Sequence, residues 1–167
     1  MKLQTMAKRK FWPVMLAIVL VFGMTAIACD NGTTNGNGGN GRTDPALNGT
    51  WDGTGYFARE TLILNNGNFE VLLDGTPIMR GTFSTSGSTI TFVKSHIHSS
   101  FLAIEWGITV ATGFHTRAEI RTAMIADGMT PAEADEYLAE MFTVHFDTFN
   151  VTGNTLTLNG DTYTRRP

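Results

Sequence analysis

The sequence has a single cysteine, Cys29, and no long hydrophobic run beyond residue 28. One thiol excludes an internal disulfide, so any exported domain in this chain must be held together by its own core. Basic residues are few: 12 Lys and Arg stand against 15 Asp and Glu, for a net charge of −3. Four of them, Lys2, Lys8, Arg9 and Lys10, fall in the first ten residues and the rest are scattered. That distribution excludes the clustered positive footprint of a nucleic-acid binder. A Gly-x-Ser-x-Gly elbow is also missing, and the Gly-rich run Gly36 to Gly41 lacks the strand before it and the helix after it that a phosphate cradle needs. Glu60, Glu105 and Asp147 are isolated carboxylates that no spacing pairs for acid–base work. The chain is therefore read as neither an enzyme nor a cofactor protein.

What is there begins with a basic start followed by "FWPVMLAIVLVFGMTAIA", Phe11 to Ala28, uncharged and ending in small residues. This is the layout of a secretory signal. Its length approaches the roughly 20 apolar residues of a membrane span, but the residues that follow favour removal. "AIAC" resembles the lipobox of bacterial lipoproteins, in the looser form found in spirochaetes, with Ala26 where Leu is usual. The resemblance implies that Cys29 is acylated, palmitate among its chains, and becomes the first residue of the mature protein. One acyl chain holds a protein to a bilayer only marginally, whereas several hold it in effect permanently. Loss of the four early cations takes the charge from −3 to −7. The expected location is the bacterial cell envelope, exported and lipid-anchored, with inner and outer membrane both open.

From Asp30 to Thr43, "DNGTTNGNGGNGRT" contains no apolar residue. Such a segment buries too little surface to offset its ordering entropy and reads as a flexible tether of about 20 Å mean reach. The expected organisation is a signal over 1–28, lipidated Cys29 and tether over 29–47, and a folded domain over 48–167.

That domain is written in short alternating segments separated by turn pairs. In "LILNNGNFEVLL" the Asn66-Gly67 pair predicts a tight hairpin, setting Leu64 opposite Phe69 and Leu62 opposite Val71 on one face, with Ile63 and Glu70 on the other. In "GTFSTSGSTITF" a Ser86-Gly87 turn would set Phe83 opposite Ile90 and Gly81 opposite Phe92. In "FNVTGNTLTLNGDTYTR" two hairpins, at Gly153 and at Asn159-Gly160, put Phe149, Leu156 and Tyr163 on a common face. "FLAIEWGITV" alternates Leu102, Ile104, Trp106, Ile108 and Val110 with small or polar residues and reads as a further strand. The period then changes: Thr116 with Glu119, and Thr130 with Pro131 and Glu133, are helix-start signals. They give a two-helix hairpin over about 116–142, whose stripe of Ala134, Tyr137, Leu138, Met141 and Phe142 is expected to plug one end of the domain.

The fold predicted is all-β, an antiparallel meander closing into a small barrel of about eight strands, since closure removes exposed edges. Gly49-Thr50-Trp51 resembles the Gly-x-Trp signature that opens lipocalins and other calycins. In that superfamily the Trp packs at the closed base of the barrel and an Arg near the end of the last strand lies across it, a place Arg165 occupies here. The resemblance covers about Asn48 to Arg166 and implies a lipocalin-like envelope lipoprotein that binds a small apolar ligand inside the barrel or near its mouth. The lining would be Trp51, Phe57, Leu62, Leu64, Phe69, Val71, Phe83, Ile90 and Phe92. The alternative is a filled barrel that serves as an interaction or adhesion module for an envelope protein. Gly53 and Gly55, on the face of Trp51, would leave the wall bare there, as a cavity or as the coiling of a small barrel requires.

Two polar features remain. His96 and His98 in "KSHIHSS" share a strand face, as metal ligands must, but a third ligand from His115, His145 or Glu105 has no recognisable spacing, so no metal is assigned. Asp147 falls on the face of Phe149 and Leu158, where it either marks a polar mouth or is turned outward by a bulge, the outcome expected.

Overall fold

The structure, a computed structural model, describes residues 43–167. The signal, Cys29 and nearly all of the tether lie outside the described residues.

Among the described residues there are nine strands: β1 (Gly49–Gly53), β2 (Glu60–Asn65), β3 (Asn68–Leu73), β4 (Thr76–Ser86), β5 (Thr89–His98), β6 (Phe114–Thr116), β7 (His145–Thr152), β8 (Thr155–Leu158) and β9 (Asp161–Arg165). Eight of them close a ring in the order β4, β3, β2, β1, β9, β8, β7, β5, because β4 also pairs with β5. All ring pairings are antiparallel. The ninth, β6, pairs with the far end of β5. The barrel thus has no free edge around its ring.

Turn chemistry fixes the registers. Asn66 and Gly67 both take positive φ (47° and 80°), as a primed two-residue turn requires, and the pairings Leu64 with Phe69 and Leu62 with Val71 follow. Asp74-Gly75 forms a second turn of this kind, between β3 and β4, and Asn159-Gly160 a third. The β4–β5 turn differs from expectation: its central residues are Gly87-Ser88, with Gly87 at φ 58°, so Phe83 faces Phe92 and Thr85 faces Ile90. Moving a turn by one residue shifts the register by two, which preserves the face, and Phe83, Ile90 and Phe92 all remain buried. Bulges between Val71 and Leu72 and between Arg80 and Gly81 interrupt the ladders on either side of β4.

The alternating strand directions define two ends. The base carries residue 49, the turns at 66–67, 87–88 and 153–154, and residue 165. The mouth carries the loop 54–59, the turns at 74–75 and 159–160, and the insertion between β5 and β7.

That insertion corrects one expectation. Residues 101–110 are not a strand: Ser99–Phe101 forms a short α1, continued by a π-helical turn over Leu102–Trp106 and closed by Gly107 at φ 67°. Leu102 is fully buried while Ile104 is 79% exposed, so the period of two carried no sheet meaning here. Helices α2 (Arg117–Ala126) and α3 (Pro131–Met141) start at capping boxes on Thr116 and Thr130. Ala134, Leu138 and Met141 do not plug the barrel; with Ile97, Leu102, Ile108, Ile120 and Met124 they form a second core beside it. Phe101 packs against both cores. Tyr137 is 44% exposed and meets Trp106 edge to face, with centroids 5.9 Å apart.

Candidate functional site

The barrel is closed at its base. Asp44 caps a short 3-10 turn over Pro45–Leu47, accepting a hydrogen bond from Ala46 N at 2.9 Å. The turn places Leu47 under β1, where its carbonyl accepts the indole N–H of Trp51 at 2.8 Å. Trp51 and Leu47 are both fully buried. The Arg165 guanidinium lies 4.2 Å from the Trp51 ring centroid and donates to the carbonyls of Asn48 (2.7 Å) and Ala46 (2.6 Å). One side chain thereby supplies a cation–π contact, worth about 0.5–2 kcal/mol, and satisfies two turn carbonyls. Gly49 is required beside it: its φ is 148°, and a Cβ there would approach Arg165 Nη1 to 3.1 Å. Gly49, Trp51 and Arg165 were legible in the sequence. Leu47, which receives the indole, was not, because nothing distinguishes it from any apolar residue ahead of a strand.

Above the base the nine expected lining residues come together. Leu62, Leu64, Phe69, Val71, Phe83, Ile90 and Phe92 join Trp51 in one buried cluster, with Phe57 partly buried against it. They pack on one another: Phe69 meets Phe92 edge to face at 5.2 Å, and Phe83 meets Phe92 at 6.3 Å. The bare patch expected at Gly53 is filled by the loop that follows it, since a Cβ on Gly53 would lie 2.1 Å from the Phe57 carbonyl oxygen. Gly55 has left the strand for a 3-10 turn over Gly55–Phe57. Phe57 folds back and stacks on Tyr163 at 6.2 Å. A groove of about 440 Å³ runs instead along the outside wall of β2 to β5, among Ile63, Glu70, Arg80 and His96.

Toward the mouth the inward positions change from apolar to polar. Glu60 shares the face of Leu62 and Leu64, and its Oε1 accepts the Tyr163 hydroxyl at 2.8 Å. Asp147 faces inward opposite Ile90 with no bulge in β7, so the expected outward turn does not occur; its Oδ1 accepts from Asn159 Nδ2. His145 stands opposite Phe92, and Lys94 opposite Gly81. Glu60, Asp147, His145 and Lys94 are all half-buried. Burial raises the Glu60 carboxyl, the Tyr163 hydrogen bond works against that, and nearby Asp161 adds to it. Asp147 is raised in the same way, with Asn159 opposing. Burial lowers Lys94, and burial with the Lys94 charge lowers His145.

These shifts set a pH dependence. A carboxyl whose folded pKa lies above its unfolded one keeps its proton longer in the fold, so stability falls as pH rises through the window between the two. Below the unfolded value both states are protonated and the penalty vanishes. Glu60→Gln keeps an acceptor for Tyr163 and removes the ionisation. It is expected to unfold at higher urea than the parent at about pH 7 and at the same urea at about pH 3.5. Urea midpoints at the two pH values check this, and a gap of equal size at both would refute it.

The remaining histidines point to separate neighbours. His96 Nδ1 is 2.9 Å from Ser95 Oγ, His98 caps α1 and meets Phe114 edge to face, and His115 Nε2 lies 2.7 Å from the Ala111 carbonyl. Among the described residues no three of His, Cys, Asp and Glu converge as a metal site. Compared with known proteins, the chain matches no family model, no curated protein and no solved structure.

Proposed function

We propose that this chain is a lipocalin-like lipoprotein of the bacterial envelope, anchored by lipid on Cys29, whose barrel is a non-catalytic cup for a small apolar molecule held at its mouth. The observation that carries this reading is the difference between the two ends. The base is sealed by Trp51, Leu47 and Arg165. At the mouth, four half-buried ionisable side chains face inward; Tyr163 and Asn159 serve Glu60 and Asp147, and the Lys94 ammonium has no side-chain partner among the described residues. Phe57, partly exposed and stacked on buried Tyr163, gives the same region apolar surface for a ligand body, and the neighbouring polar groups would orient it.

What supports the lipid anchor is the sequence: a basic and apolar signal, a Cys at its exit and a Gly- and Asn-rich spacer. NMR titration of the full-length chain in nanodiscs with 4-phenylbutanol tests the cup. Shifts are expected at the mouth and not at the base. The intact mass of the same preparation reads the anchor: residues 29–167 plus acyl chains agree with it, and an unmodified full-length chain contradicts it.

A further inference from the structure

The mouth is not uniformly polar. In the eight-strand ring β1 stands diametrically across from β5, and β2 and β9 flank β1. Glu60 on β2, with Tyr163 and Asp161 on β9, therefore forms one wall, and Lys94 on β5 with His145 on neighbouring β7 forms the wall across from it. The acidic wall is satisfied from within, since Tyr163 donates to Glu60. Asp147 is taken by Asn159. It also lies opposite Ile90, four residues down β5 from Lys94, a separation of roughly 13 Å along a strand.

Lys94 differs from all of these. It faces inward on the side of Ile90 and Phe92 and is half-buried, and its ammonium makes no hydrogen bond or ion pair with any described residue. Its neighbour across β4 is Gly81, which offers no side chain, and a Cβ there would run into the Val93 carbonyl oxygen at 2.0 Å and Phe69 at 2.7 Å. The ammonium thus stands at the rim of the aromatic cluster of Phe69, Phe83 and Phe92 with one neutral-leaning imidazole, His145, as company. A partly desolvated cation without a counter-charge is costly to the fold, and an acceptor carried in by a ligand would remove that cost while making a charge-assisted bond.

We infer that the mouth takes an amphiphile with one acidic head group, its head paired with Lys94 and its apolar body laid on Phe57 above the buried edge of Phe92. This rests on the cup reading above and adds the head-group chemistry.

The test uses three soluble probes with the same tail, 4-phenylbutyrate, 4-phenylbutanol and 4-phenylbutylamine, titrated calorimetrically into the full-length chain in nanodiscs with empty discs subtracted. The acid is expected to bind at least tenfold more tightly than the alcohol. Lys94→Met, which keeps the stem and removes the charge, should bring acid and alcohol to equal affinity, and Lys94→Arg should retain the preference. Equal binding of acid and alcohol by the parent, a preference for the amine, or an acid preference that survives in Lys94→Met would overturn the Lys94 assignment and leave the cup standing. Failure of all three probes to bind would overturn both.

Discussion

Replacing Trp51 by alanine is expected to lower the unfolding free energy of the barrel by about 3–5 kcal/mol, the range for removing a large aromatic from a core. Three losses combine. The side chain is fully buried, so its removal leaves a void at the base between Leu47 and Arg165. The Leu47 carbonyl loses the indole N–H it accepts at 2.8 Å, and the Arg165 guanidinium loses the ring it covers at 4.2 Å. Against a typical stability of about 5–15 kcal/mol for a domain of this kind, the variant should be close to the edge of folding. Urea denaturation of parent and variant checks it. A decrease below about 1 kcal/mol would mean that the base is not held by this residue.

Gly81→Ala is expected to cost about 3 kcal/mol or more, above the usual range for added bulk in a core. The reason is steric and not conformational, because Gly81 has no positive φ. An added Cβ would stand 2.0 Å from the Val93 carbonyl oxygen and 2.7 Å from Phe69 Cε1. The first of these is backbone of the paired strand, which cannot yield without breaking the β4–β5 ladder beside its bulge. The comparison that isolates the cause is Gly75→Ala. That glycine has φ 77° and open space around it, so its cost should be the left-handed penalty alone, about 1–2 kcal/mol. If the two variants unfold at the same urea concentration, the close approach at Gly81 is not real.

The barrel was largely legible because its turns are chemically explicit. Asn66-Gly67 and Asn159-Gly160 announce primed turns, and a period of two then assigns Leu62, Leu64, Phe69 and Val71 to the inside without ambiguity. Where the turn is Ser-Gly-Ser, glycine fits either central position, and the pairing of Phe83 came out two residues off although its face was right. The stretch Leu102–Trp106 was misread for a physical reason: alternation signals a strand only if a neighbour is there to pair with, and β7 and β6 already occupy the open side of β5. Gly107 in the left-handed conformation was the sequence's mark of a helical end.

The base of the candidate site was readable because two residues 114 positions apart, Trp51 and Arg165, resemble a pairing of types expected at a barrel base, and the guanidinium does lie over the ring. The mouth was not, since Glu60, Lys94, His145 and Asp147 come from three strands, β2, β5 and β7, and reach one end of the barrel only when the ring closes. Asp147 shows the difficulty: on a two-stranded hairpin an inward carboxylate looks like an error that a bulge should correct, and in a barrel it sits at a rim with Asn159 to receive it.

The most direct test of a cup sealed at one end and receptive at the other is where a ligand is felt. In the NMR titration of the full-length chain with 4-phenylbutanol, resonances of Phe57, Phe92, His145 and Lys94 should shift together with one dissociation constant. The Trp51 indole N–H, held by Leu47 beneath Arg165, should stay where it is. Shifts centred on Trp51, or none at the mouth at saturating probe, would contradict the account.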